Sequence, residues 1–363
     1  MALSRDFRII VPTTGRFLLV WLGVVIISAV QSDCGITGIR DVLMYTLFFL
    51  LVVNTVRSHE KIWGLVGAVL VGMGLTSGIS VAQAAYHYIQ TGAIDRIKVL
   101  SLAFPAPYIV TVLSLIIGLA LCFRWKKPGW VLFGAISLFS MTTLALTHNN
   151  RASMAALVLI TIVIAGLKRT LWPLLLAGIL LIGAVGLGFL VFPSYQSRIE
   201  GFANPSTDAS LLERVEIWKA SAAMVRDYPV LGIGPKCFRD NRKRYHIPND
   251  QGEAHNQFLH VAAEVGFLGL TAFLFWLGSC ARFVVTRAKR PTDNLAKALW
   301  YGALGGLVVI LVQGLTAPIF SNEMALIFLL LMGLSIVIEE KNCFSDREIS
   351  SQTPMPFLLG PRE

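Results

Sequence analysis

The sequence predicts an all-α, polytopic integral membrane protein of about ten transmembrane helices with one long outer loop that contains short helices. Three observations predict it. Of 363 residues, 55% are hydrophobic and 14% charged, where a soluble domain carries roughly 25% charged residues. A mean hydropathy of +0.68 over 39.7 kDa is more apolar surface than one aqueous core can hide. The apolar residues also come in runs long enough to cross a bilayer, separated by short charged clusters. A soluble enzyme is excluded.

In chain order the apolar runs lie at 17–33, 40–56, 62–82, 104–123, 129–147, 151–167, 171–192, 257–281, 298–317 and 324–339. The first reads as a span and not as a cleaved signal, because no small-x-small site with a soluble domain follows it. Orientation comes from the Lys/Arg bias, since cytoplasmic loops carry the excess. With the N-terminus inside, eighteen Lys and Arg fall in inside segments and four, Arg40, Arg96, Lys98 and Arg151, in short outside loops. The other nine lie in 193–256, which an even number of spans places outside. The chain thus divides into seven helices over 1–192, an outer loop with the catalytic elements over 193–256, three helices over 257–340, and a polar, disordered cytoplasmic tail over 341–363.

Function is expected in the long loop and at the helix ends beside it. The net charge of +10 does not point to nucleic acid, because the loop's nine basic residues face eight acidic ones and the charges nearly cancel. Cysteines at 34, 122, 237, 280 and 343 show no CxxC and no partnered histidine, so neither a zinc site nor a disulfide framework is indicated.

Arg151 opens the sixth span in Leu146-Thr147-His148-Asn149-Asn150-Arg151-Ala152-Ser153. An outward-directed helix N-terminus presents unpaired N–H groups and about half a positive charge, and a guanidinium beside it adds bidentate donors suited to phosphate. An arginine reaching for lipid headgroups is the plainer alternative. Its outer position runs against the charge bias and favours the anion site. His148 is a second candidate in the same turn.

In the loop, Ser210 and Glu213 have capping-box spacing, which predicts a helix start. Leu211, Val215, Trp218 and Val225 form an apolar stripe expected to lie against the membrane end of the bundle. Arg214 lies one turn before Trp218, where it either stacks on that ring or pairs with Asp208 or Glu213, or reaches the anion held by Arg151. Pro229 is expected to end the helix, and Gly232 and Gly234 to permit a turn with positive φ. Gly-Ile-Gly-Pro-Lys lacks the spacing and the Ser/Thr of a phosphate-binding P-loop. The basic run Arg239, Arg242, Lys243, Arg244 is either a solvated face or a contact with an anionic acceptor or lipid.

His255 stands where the eighth span begins, and the positive end of that helix favours a neutral ring able to accept a proton. A polar helix-start residue with no duty is the alternative. Glu264 lies in apolar surroundings and is expected to face the bundle interior and pair with an Arg or His, while His260, off the His255 face, reads as structural. There is no HExxH, no paired-carboxylate DxD, no Gly-x-Ser-x-Gly and no acidic cluster for a metal. A metal-free, cofactor-free reaction on an anionic, membrane-bound substrate remains.

The sequence resembles the O-antigen ligase family, within the wider group of O-antigen polymerases and oligosaccharyltransferases that act on lipid-linked glycans. The resemblance rests on Asn150-Arg151-Ala152 at a helix mouth, Arg214-x-x-x-Trp218 before Pro229-x-x-Gly232-Ile233-Gly234-x-x-x-Phe238, and His255-Asn256-x-x-Leu259 followed by Glu264-x-Gly266-x-x-Gly269-Leu270. It implies a mostly helical fold and a metal-independent, inverting glycosyl transfer on the periplasmic face of the bacterial inner membrane. The implied donor is an undecaprenyl pyrophosphate-linked glycan and the acceptor lipid A–core. Carried over by motif, Arg151 and Arg214 hold the pyrophosphate and His255 assists the acceptor hydroxyl. His148, Asn150, Trp218, Arg242 and Glu264 are the further candidate substrate-binding residues. The family usually has about twelve spans, and two fewer here preserve the parity on which the orientation depends. O-antigen polymerisation and transfer to protein share this chemistry; a lipid-linked glycan transporter is the alternative of a different class.

Overall fold

The structure, a computed structural model, describes residues 9–32, 34–91, 106–124, 126–146, 151–169, 178, 209–247, 251–288, 293–320 and 322–351. Among these the ordered elements are all helices: α1 (Thr13–Val30), α2 (Ile36–Thr55), α3 (His59–Thr91), α4 (Ala106–Cys122), α5 (Lys127–Leu146), α6 (Arg151–Lys168), α7 (Ala209–Asp227), α8 (Phe238–Asn241), α9 (Gln257–Ala288), α10 (Asn294–Gln313) and α11 (Asn322–Ser351). The protein is a polytopic, all-helical membrane protein. Five helices are long and apolar enough to cross a membrane, Thr13–Val30, Ile36–Thr55, His59–His87, Gln257–Arg287 and Asn294–Gln313, and Ala106–Cys122 and Ala152–Leu167 are shorter apolar helices. Large apolar side chains such as Val20, Ile27, Leu47, Leu51, Val71 and Leu75 face outward, which a helix tolerates only when its solvent is lipid. The predicted span at 171–192 lies outside the described residues apart from Gly178. The last helix continues to Ser351, into the stretch read from sequence as a disordered tail.

The bundle is built around α10, which packs on α4, α6, α9 and α11. Glycines 302, 305 and 306 turn toward Leu115, Ser114 and Phe328, so that the backbones approach closely where lipid gives no hydrophobic drive for association. On the other flank α1 packs on α2 and α9. Trp21 stacks on Trp276 with centroids 5.9 Å apart, and Phe320 meets the two rings edge-on at 5.8 and 5.2 Å.

The feature that positions the outer segment is a break in α9 at Gly266 (φ 72°, ψ −175°). In an unbroken helix the Ala263 and Glu264 carbonyls would accept from the Phe267 and Leu268 N–H groups. All four groups instead pair with the turn after α7. Ile233 N–H donates to Ala263 O (3.0 Å), Gly234 N–H to Glu264 O (2.8 Å), Phe267 N–H to Pro229 O (2.8 Å) and Leu268 N–H to Val230 O (3.2 Å). A break in an apolar helix is tolerated when its freed polar groups are satisfied, and this exchange satisfies all four, with Gly266 itself buried and Pro229, Val230, Phe267 and Leu268 at the exposed side. Gly232 and Gly266 are reciprocal: a Cβ on either would collide with backbone atoms of the other strand of the exchange, and both have positive φ. Ser28 of α1 adds a hydroxyl donated to Leu231 O at 2.6 Å.

Two further ties hold the same turn. Cys34, between α1 and α2, is disulfide-bonded to Cys237, with Cα atoms 5.5 Å apart. This corrects the expectation that the cysteines carry no disulfide. A pairing across 203 residues leaves no spacing signature. Lys236 Nζ also lies 2.7 Å from Asp41 Oδ2 at the start of α2.

α7 starts at Ala209, next to the predicted cap, and ends at Asp227, two residues before Pro229. Its buried face is Ile217, Ala220, Met224 and Val225, packed with Ile233, Phe238, Ile247, Ala254, Ala262 and Ala263. Of the predicted stripe, Val225 is buried in this cluster, Val215 and Trp218 are half-buried, and Leu211 is exposed, because α9 and the returning loop cover the Ile217 and Met224 side.

Candidate functional site

The site begins with the entry of α9. Asn256 is its N-cap: Oδ1 accepts from the N–H groups of Phe258 and Leu259, each at 3.0 Å. His255, the residue before the cap, has φ 48°. That left-handed conformation is uncommon outside glycine, costs of order 1–3 kcal/mol, and clusters at functional positions. It turns the imidazole back toward α7. There Arg214 acts on it electrostatically, and the ring pKa falls below its usual value, through burial first and the Arg214 charge second, with Glu253 and Glu213 opposing. The neutral ring expected from the helix dipole is thus favoured by desolvation and a guanidinium. A hydrogen bond anchors the ring: His255 Nε2 lies 3.2 Å from Gln251 Oε1, and Gln251 Nε2 donates to Glu213 Oε1 at 3.3 Å.

Arg214 and Trp218 are half-buried on the adjoining turns of α7. Among the described residues Arg214 forms neither the ring contact with Trp218 nor the ion pair with Glu213 that the spacing allowed; Glu213 accepts from Gln251, and Asp208 lies outside the described residues. The Trp218 indole N–H, itself buried, has no hydrogen-bond partner there. A half-buried guanidinium on α7 and a half-buried imidazole before α9 are thus within electrostatic reach of each other; the first can donate to an anion and the second, when neutral, can accept from a hydroxyl.

Arg151 is the first residue of α6, as predicted, but its side chain, like His148 and Asn150, lies outside the described residues. The backbone places that helix start at the same end of the bundle as His255. Ser153 Oγ accepts from Gln313 Nε2 at 2.6 Å, and the next residue, Gly314, accepts through its carbonyl from Gln257 N–H at 2.6 Å. Two helix N-termini, those of α6 and α9, thus converge on the turn after α10.

Glu264 faces the interior. Its Oε1 accepts from Phe238 N–H at 3.2 Å and its Oε2 lies 3.6 Å from His260 Nε2. The carboxylate holds the first turn of α8 on α9, and His260 packs on the Phe238 ring at 5.2 Å. The basic run divides. Arg242 is half-buried in the turn after α8, while Arg239 and Lys243 are exposed. Arg244 donates to the Tyr228 hydroxyl at 3.0 Å and lies over the Tyr228 and Tyr245 rings, tying the loop back to the end of α7. Gln251 was missed from sequence; a glutamine four residues before a histidine carries no signal of its own. No group of three or more His, Cys, Asp or Glu converges at metal-binding distance among the described residues.

Residues 135–274 match the family described as O-antigen ligase. That segment, a little over a third of the chain, is similar to the O-antigen ligase family. The matched segment runs from α5 through the break in α9 and contains Arg151, Arg214, Gln251 and His255. The match supports an enzyme of the O-antigen ligase and polymerase type for this part of a membrane protein. No curated protein matches the chain.

Proposed function

We propose that the protein is an O-antigen ligase that transfers glycan from undecaprenyl pyrophosphate to a hydroxyl of lipid A–core, with inversion and without a metal, on the periplasmic face of the inner membrane. The observation that carries this reading is a half-buried His255 whose pKa is lowered by burial and by the charge of Arg214, both within the segment that matches the O-antigen ligase family. Pyrophosphate is a leaving group that needs no proton. Its developing charge must be neutralised, and a guanidinium in a water-poor site, with Arg151 at the neighbouring helix mouth, supplies that more effectively than it would in water. The acceptor hydroxyl needs a base, and an imidazole held neutral serves near pH 7. His148, Asn150, Trp218 and Arg242 are assigned to the surrounding substrate contacts, with Glu264 a wall of the site. The Cys34–Cys237 disulfide supports the periplasmic orientation, since such bonds persist in oxidising compartments, and the Lys/Arg bias agrees with it.

The experiment is the lipopolysaccharide gel profile of a strain deleted for this protein, together with transfer by the purified protein in detergent. A ligase predicts loss of every O-antigen band with accumulation of lipid-linked donor, and transfer that requires neither ATP nor an ion gradient. Core bearing a single unit would identify a polymerase, modification of a protein acceptor an oligosaccharyltransferase, and dependence on a gradient without transfer a transporter.

A further inference from the structure

We propose that Gln251, itself oriented by Glu213, is a positioning residue that holds His255 as its Nε2–H tautomer and so makes Nδ1 the atom that takes the acceptor's proton. The inference rests on the reading of His255 as the base and adds which nitrogen acts and what fixes it. A carboxylate only accepts hydrogen bonds, so the group of Gln251 that lies 3.3 Å from Glu213 Oε1 has to be its NH2. The reversed amide would set two acceptors against each other. With the NH2 committed, the Gln251 carbonyl is the atom 3.2 Å from His255 Nε2, and that carbonyl also only accepts. Nε2 must therefore carry the proton, and the lone pair is left on Nδ1. The arrangement fixes an imidazole as a triad carboxylate does, with a neutral amide inserted between carboxylate and ring. The insertion has a purpose here: a carboxylate directly on the ring would raise its pKa, opposing the burial and the Arg214 charge that keep it neutral.

In the step, the acceptor O–H proton passes to Nδ1 while the oxygen's electron pair forms the new bond to the anomeric carbon. The bond from that carbon to the pyrophosphate oxygen breaks, its electron pair leaves on the pyrophosphate, and His255, now imidazolium, later releases the proton to solvent. The charged and titratable groups facing the ring are Arg214 and Glu213 from α7, Glu253 from the segment before α9, and His260 from α9 itself.

The test uses the full-length protein in lipid nanodiscs with undecaprenyl pyrophosphate-linked glycan as donor and lipopolysaccharide core as acceptor. Ring nitrogens are observed by 15N-histidine NMR, with the His255 signals assigned by their loss in His255→Asn. The expected wild-type spectrum has a protonated Nε2 and an unprotonated Nδ1 at His255. Gln251→Leu should mix the two tautomers and lower kcat by about tenfold or more, part of the 10²–10⁴-fold that a positioned base contributes, with donor KM unchanged. Gln251→Glu, which still accepts from Nε2, should keep the tautomer and move the acid limb of the pH profile upward. A wild-type His255 protonated on Nδ1 overturns the proposal even if the variants fail to fold, and so does a Gln251→Leu protein with wild-type kcat and an unmixed tautomer. Full turnover in His255→Asn would instead defeat the base assignment itself, and this inference with it.

Discussion

At the scale of single residues, the surroundings of His255 make opposed predictions about pH. Burial and Arg214 both lower the His255 pKa, while Glu253 and Glu213 raise it. A base is active in its neutral form, so a lowered pKa extends activity toward acid. Arg214→Gln removes a lowering cause and should shift the acid limb of kcat/KM to higher pH, in addition to weakening donor binding. Glu253→Gln removes a raising cause and should shift it to lower pH by a smaller step, because Glu253 is exposed and screened. Rate profiles of the two variants in detergent decide it; limbs that move together or not at all would separate the ring from the chemistry. His255→Asn is the cleaner replacement for testing the base, since asparagine tolerates the positive φ of that position better than alanine, and it should reduce turnover by roughly 10²-fold or more while donor binding persists. Arg214 and His255 were legible because charged and titratable residues at helix ends stand out against an apolar sequence. Gln251 was not, since its role depends on where Glu213 points, and that is set by the packing of Ile217 and Met224.

At the scale of elements, the exchange of four hydrogen bonds between α9 and the turn after α7 explains two of the motifs as one structure. Pro229-x-x-Gly232-Ile233-Gly234 and Glu264-x-Gly266 are the two sides of the same joint. Either Gly232→Ala or Gly266→Ala introduces a Cβ at positive φ and against backbone, so each should cost more than the about 1–3 kcal/mol of a strained φ alone. The measurement is thermal unfolding in a nanodisc, where each variant should melt well below the wild type. Equal melting would mean that the turn is not seated on α9. The positive φ of Gly232 and Gly234 was readable from the local turn composition. The break at Gly266 was not, because glycine is common in membrane helices and only the partner strand shows that this one interrupts the ladder. The exposure of Leu211 on α7 has a similar origin: periodicity gives the existence of an apolar face, but the returning loop decides which flank is covered.

At the scale of the whole molecule, the order and placement of the described helices at the predicted spans followed from hydropathy, because lipid as solvent demands long apolar runs whatever the fold. Long-range ties between them did not. The Cys34–Cys237 bond joins the first hairpin to the outer segment across 203 residues, and its reduction should lower the melting temperature of the wild type while leaving Cys34→Ser, already lowered, unaffected by reductant. Removing a disulfide costs about 2–5 kcal/mol in small secreted domains, and the membrane's own restriction of the denatured chain places the loss here at the lower end. The bond also makes the orientation testable: single cysteines introduced at exposed Lys243 or Arg239 in a background lacking the native pair should react with a membrane-impermeant thiol reagent in intact cells whose outer membrane is permeabilised. Protection of both sites would place the segment in the cytosol and remove the proposed periplasmic reaction.

The joint at Gly266 also makes solubilisation a functional variable. Gly266 lies about 13 Å along α9 from its first residue, at 1.5 Å per residue, within a helix long and apolar enough to cross a membrane, and apolar surroundings strengthen the pairing of the exchanged amides and carbonyls. A short-chain surfactant that forms a thin, wet belt would let water compete for those groups. Turnover should then fade before helicity does, and return when the protein is placed back in a thicker hydrocarbon layer.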